Sequence, residues 1–134
     1  MVFRHEIKEM KKVVAIVRLE KMDALREALE KTGFPGMTVT PTSGQGREKG
    51  ISLFRRGRQW KERFVPRVKF EVVVQDAELD RLIATILTEA TTGRVGDGKI
   101  FVEPVEEAIR IRDGKRGEEA ICGKEMSGVA SKEN

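Results

Sequence analysis

Residues 68–90 read Val-Lys-Phe-Glu-Val-Val-Val-Gln-Asp-Ala-Glu-Leu-Asp-Arg-Leu-Ile-Ala-Thr-Ile-Leu-Thr-Glu-Ala. Val68, Phe70, Val72 and Val74 alternate with Lys69, Glu71 and Gln75, the period of two that lays one face of a strand on a core. The period then changes. Leu79, Leu82, Ile83, Ile86, Leu87 and Ala90 form the stripe of an amphipathic helix, with Asp76 placed to cap it and Gly93 to end it. Burying each large apolar member contributes about 1.5–3 kcal/mol before conformational entropy is set against it, so the stripe requires a sheet beneath it.

Working outward, the same order recurs in the first half. The β-branched run 12–17 (KVVAIV) predicts a buried strand, and Met22, Leu25, Ala28 and Leu29 predict a helix stopped by Gly33 and Pro35. Residues 37–42 (MTVTPT) alternate apolar and hydroxyl side chains as a second strand, and 99–102 (KIFV) are a further one. Ile109 and Ile111 alternating with Arg110 and Arg112 suggest a short extended piece. Residues 47–63 show no periodicity and read as a long loop. The sum is an α+β chain of the split βαβ, or ferredoxin-like βαββαβ, kind with that loop between strands 2 and 3. Two helices cover one face of such a sheet; the other is left to solvent or to further copies of the chain.

Length and composition narrow the function. The 134 residues suit one domain, and 36% of them are charged. No run approaches the roughly 18 apolar residues of a membrane span, and Met1–Met10 lacks an apolar signal-peptide core, so a soluble cytoplasmic protein without membrane insertion is expected. The one cysteine, Cys122, and the one histidine, His5, exclude an internal disulfide framework. They also argue against a His/Cys zinc site and a Ser-His or Cys-His dyad. The chain reads as no enzyme.

The net charge of +4 is concentrated. Between residues 47 and 63, Arg47, Lys49, Arg55, Arg56, Arg58, Lys61 and Arg63 face only Glu48 and Glu62, a net of +5, so the remainder carries −1. Phe54 and Trp60 stand among these cations and suit either base stacking or a protein interface.

Residues 92–100 (TGRVGDGKI) contain G-x-x-x-x-G-K from Gly93 to Lys99. Ile100 follows where a P-loop needs Ser or Thr, and a strand follows where it needs a helix, so this is no P-loop. The glycines suit a helix C-cap with a tight turn over 95–98, and equally a backbone that approaches phosphate closely. In an extended segment Arg110 and Arg112 share a side. They are either partners of Glu103, Glu106 and Glu107 or, with Lys99, the cations of a triphosphate site.

On these residues the chain resembles the PII signal-transduction family over about Met10–Ile121. The resemblance rests on Lys11-Lys12, Gly36-Met37-Thr38-Val39-Thr40, Gly44-x-Gly46-Arg47-x-Lys49-Gly50, Phe64-Val65-Pro66-x-Val68-Lys69, Thr92 through Val102, and Ile109-Arg110-Ile111-Arg112. It implies a homotrimer with ATP or ADP between subunits. It divides the chain into an N-terminal extension 1–9, a PII-like domain 10–121 and a tail 122–134 expected to be disordered. Within the domain it implies a T-loop at about 46–63, a B-loop at 91–99 and a C-terminal loop at 111–121. Thr38 and Gly46 are then near the nucleotide and Arg47 and Lys99 on phosphates. Gly96, Asp97 and Gly98 shape the loop around it, and Arg110 and Arg112 reach phosphates across the interface. The implied partner is a regulated protein, an ammonium transporter or a nitrogen-assimilation enzyme, met through the T-loop with Phe54, Arg55, Arg56, Arg58 and Trp60.

The departures from the pattern carry expectations of their own. Glu48 stands where the family's glutamine helps hold the magnesium that chelates 2-oxoglutarate, and Arg67 stands where a lysine pairs with that ligand. A carboxylate about 5 Å from an incoming dianion costs about 3 kcal/mol per like-charge pair at an effective dielectric near 20, so 2-oxoglutarate binding is expected to be weakened or lost. There is no tyrosine in the chain, and Trp60 takes the place of the residue that is uridylylated in many members. The basic loop also admits a divergent acidic partner, or a nucleic-acid-binding module as the alternative function.

Overall fold

The computed structural model describes residues 9–45, 52–55, 58–61 and 64–122, the two four-residue pieces by their backbone. The run 12–17 extends at both ends into β1, Met10–Arg18. A 3-10 turn at Leu19–Lys21 leads into α1, Met22–Lys31, which buries Leu25 and Leu29. Next come β2, Thr38–Gly44, a hairpin of β3 (Ser52–Arg55) and β4 (Arg58–Lys61), and β5, Val65–Gln75. After a 3-10 turn at Asp76–Glu78, the chain forms α2 (Leu79–Ala90), β6 (Gly98–Val105) and a single helical turn α3, Glu118–Ile121.

The four long strands make one sheet in the order β2-β5-β1-β6, every neighbouring pair antiparallel. β5 lies between β1 and β2, and β1 lies between β5 and β6. Each βαβ unit is therefore split by a strand of the other, which is the ferredoxin-like arrangement the alternating periods predict.

Register separates the two faces. Val13, Ala15 and Val17 of β1 lie level with Val72, Phe70 and Val68 of β5. With Leu25, Leu29, Leu82 and Ile86 they form the core. The intervening residues share the open face: Lys12, Val14, Ile16 and Arg18 beside Val73, Glu71, Lys69 and Arg67. Phe101, level with Val14, is half exposed there. An ion pair from Lys12 Nζ to Glu71 Oε2 at 2.8 Å crosses this face.

Several expectations are corrected. Asp76 does not cap α2. No side chain caps the 3-10 turn or the helix, and the Asp76 carboxylate accepts a hydrogen bond from Lys11 Nζ at 2.6 Å. Met10 and Gln75 are register partners, which brings the ammonium within reach of a carboxylate that otherwise would accept from a neutral N–H. Gly93 does not end α2, which stops at Ala90 with Thr91 already extended. The interval 47–63 holds a β3–β4 pair, with Leu53 opposite Trp60 and Arg55 opposite Arg58; its four-residue strands are too short for a period to show. The apolar stripe of α2 is buried at Leu82, Ile86 and Ala90, whereas Leu87 is 51% exposed. The extension 1–8 and the tail 123–134 lie outside the described residues.

Candidate functional site

The loop between α2 and β6 is built on one carboxylate. Asp97 Oδ2 accepts the backbone N–H groups of Thr92 and Gly93, each at 2.8 Å. Its Oδ1 accepts the Thr92 hydroxyl and, at 2.9 Å, Nε of Arg18 from the end of β1. Arg18 Nη2 also donates to the Val95 carbonyl at 3.0 Å. The Thr92 hydroxyl and N–H, aided by Arg18 and the Gly93 N–H, hold the Asp97 carboxyl far below the usual carboxylate range. Asp97 is thus an anion at neutral pH, engaged by the loop's own donors. Only glycine fits at 98: its φ is +106°, and an added Cβ would lie 1.8 Å from the Ile16 carbonyl oxygen. This tight seat is what lets β6 start against β1 immediately after the turn.

Gly98 thereby delivers Lys99, exposed, to the open face of the sheet level with Ile16 and next to Lys69 across β1. Thr38 opens β2 level with Glu71 and is also exposed. β2 and β6 are the two edges of the sheet, so Thr38 and Lys99 are three strand spacings apart across it, about 14 Å, and two register positions apart along it. Arg67, the third residue of β5, lies on the same face level with Arg18 and is buried; its Cγ lies 3.4 Å from where a Cβ on Gly44 would sit.

The reading of 109–112 as extended chain is corrected. Ile109 makes an isolated antiparallel bridge with Arg116, Arg110 N–H donates to the Lys115 carbonyl at 2.8 Å, and Gly114 N–H donates to the Arg110 carbonyl at 2.7 Å. The chain folds back over Asp113-Gly114, a turn dipeptide whose chemistry overrides the alternation before it. Arg110 and Arg112 still converge, but on Asp113. Arg110 Nε donates to Oδ1 at 3.1 Å and Nη2 to Oδ2 at 2.9 Å, while Arg112 Nη2 stands 3.7 Å from Oδ2. The Arg110 guanidinium, with the Lys115 N–H, holds the Asp113 carboxyl far below its ordinary range. Of the glutamates considered as partners, Glu107 pairs with Arg116 at 2.6 Å. The implied C-terminal loop 111–121 contains α3 at its end.

Gly46, Arg47, Glu48 and Arg56 lie outside the described residues, and Phe54, Arg55, Arg58 and Trp60 are placed by backbone alone in the β3–β4 hairpin. Arg18 and Asp113 were not singled out by the sequence, and Thr92 was quoted in the motif without a role. Asp113-Gly114 carries a turn signal that could have found it; Arg18 carries none, because its partner is 79 residues away. Among the described residues no helix is long and apolar enough to cross a membrane.

The family model of the nitrogen regulatory protein P-II matches residues 10–115. Proteins called nitrogen regulatory protein P-II are similar over 112 residues in Azospirillum brasilense, at 49% identity, and in Rhodospirillum rubrum, at 50%. In both cases 84% of this chain and 100% of the relative are covered. The crystal structure of Arabidopsis thaliana PII bound to citrate matches with a TM-score of 0.68 and 41% identity, over 84% of this chain and 92% of that one.

Proposed function

Because this chain belongs to the nitrogen regulatory protein P-II family, we propose that it is an adenine-nucleotide sensor that regulates nitrogen-related target proteins through the loop at about 46–63. ATP or ADP binds between subunits of a homotrimer. The observation that carries this reading is the separation of Thr38 and Lys99 on opposite edges of one sheet. Apposing the β2 edge of one copy to the β6 edge of the next brings the two residues together around a single nucleotide. The Asp97-centred turn then presents Gly96, Gly98 and Lys99, and Arg110 and Arg112 supply further cationic charge to the phosphates. Magnesium enters with ATP rather than as a resident ion.

The nucleotide's terminal phosphate biases the conformation of the loop, and the loop engages or releases its target. That target is an ammonium transporter, a nitrogen-assimilation enzyme or a divergent acidic protein. Glu48 weakens the response to 2-oxoglutarate by like-charge repulsion, and Arg67 because its guanidinium is larger and differently forked than a lysine ammonium. Calorimetric titration with ATP and with ADP, each with and without magnesium and 2-oxoglutarate, tests the reading. Both nucleotides should bind, with little change on adding 2-oxoglutarate. An absence of nucleotide binding overturns the sensor function, and strong synergy with 2-oxoglutarate overturns the role given to Glu48. A nucleic-acid module, the alternative, predicts binding that falls steeply with salt and survives without nucleotide.

A further inference from the structure

We propose that Asp113 is a built-in competitor for the phosphate site, a carboxylate that occupies the guanidinium fork of Arg110 and must give way when a nucleotide binds. This rests on the reading of Arg110 and Arg112 as phosphate ligands.

The geometry has three parts. Arg110 meets Asp113 in a two-pronged pairing, Nε to Oδ1 and Nη2 to Oδ2, the arrangement with which arginine also grips a phosphate. Asp113 is held in place by the main chain. Its Oδ1 accepts the Lys115 N–H at 3.1 Å, and the turn is closed by the Arg110 N–H to the Lys115 carbonyl and the Gly114 N–H to the Arg110 carbonyl. Finally, the Arg110 side chain is only 17% exposed, so water screens the pair less than an ordinary surface contact.

A polyphosphate approaching Arg110 and Arg112 therefore meets a fixed negative charge already seated between them. It either displaces that carboxylate or binds beside it against like-charge repulsion, and in both cases affinity is lower than the two arginines alone would give. Displacement also removes the side-chain tie across the turn. The Gly117 N–H donates to the Ala108 carbonyl at 2.8 Å and α3 starts at the next residue. The turn that leads to α3 therefore loses its side-chain tie when a phosphate is seated, while its main-chain bonds remain.

The test is calorimetric titration of ATP into the full chain and into Asp113→Asn, which keeps an acceptor for the Lys115 N–H while removing the charge. Asp113→Ser serves as a second variant should the first fail to fold. Removing the competitor should tighten ATP binding about three- to ten-fold at low salt, with the advantage shrinking as ionic strength rises. Equal or weaker ATP binding by the variants, with the wild type binding normally, overturns the competitor role and makes Asp113 a scaffold for the arginines. If the wild type binds no ATP, the nucleotide reading itself fails and this inference falls with it.

Discussion

Nε of Arg18 donates to Oδ1 of Asp97 at 2.9 Å, joining residues 79 positions apart. Through this contact and the Arg18 bond to the Val95 carbonyl, the end of a central strand is fastened to the glycine turn that opens an edge strand. The turn is thus shaped by the chain's own donors, and on the proposed function little ordering would remain when a nucleotide binds.

Arg18→Ala and Asp97→Asn should each weaken ATP binding about ten-fold, through loss of a preorganised turn rather than of a phosphate contact. Since both act through one network, the double variant should lose far less than the product of the two single effects. A double-mutant cycle by titration calorimetry reads this directly; multiplicative losses would mean that the two residues act independently.

Asp97 and Asp113 are held below the ordinary carboxylate value of 3.8 in the folded chain. A depressed folded-state pKa contributes stability that is fully present above the unfolded value and is lost as pH falls through the folded one. Melting temperature should therefore be insensitive to these two groups from about pH 8 to pH 5 and fall with them only below about pH 4. Asp97→Asn should melt lower than wild type at neutral pH, with the gap closing in acid. A gap that stays constant down to pH 2 would show that ionisation of Asp97 contributes nothing.

Most of the sheet was legible because Val68, Phe70, Val72 and Val74 face one core along a strand paired on both sides. That core contact is what a period of two records. The helices were legible wherever a stripe is buried, and the reading failed at Leu87, which is half exposed. At the site, Gly98 was visible because glycines in a short loop signal a tight turn, and its φ is indeed positive; Lys99 was visible as the cation beside it. Arg18 was not, since tertiary structure alone brings it to Asp97. The alternation Ile109-Arg110-Ile111-Arg112 misled for a physical reason. Ile111 is 97% exposed, so no buried face enforces the period, and the Asp113-Gly114 turn decides the backbone instead.

Gly98→Ala should be severely destabilising. The added methyl would meet the Ile16 carbonyl oxygen at 1.8 Å and its carbon at 2.9 Å, and these atoms belong to the central strand, which cannot recede without breaking its pairing with β5 and β6. With the strain of φ +106° included, the cost should be at least about 3 kcal/mol. Gly93→Ala, at φ +87° with nothing within 4 Å of the new Cβ, should cost only about 1–2 kcal/mol. Urea denaturation of the two variants at equal protein concentration checks the contrast, and similar midpoints would contradict it.

The two leucines of α2 should separate in the same way. Leu82 is fully buried against the sheet and Leu87 is 51% exposed. Leu82→Ala removes apolar contacts and leaves a cavity that the close-packed layer under α2 can only partly fill, at a cost of about 2–5 kcal/mol. Leu87→Ala removes atoms that already touch water and should change stability by under about 1 kcal/mol. Denaturation midpoints at two protein concentrations sharpen the reading. If Leu87 is covered by a second copy, its variant should lose stability mainly at the concentration where copies associate. A loss for Leu87→Ala as large as that for Leu82→Ala at both concentrations would mean that the stripe is buried along its whole length within the single chain.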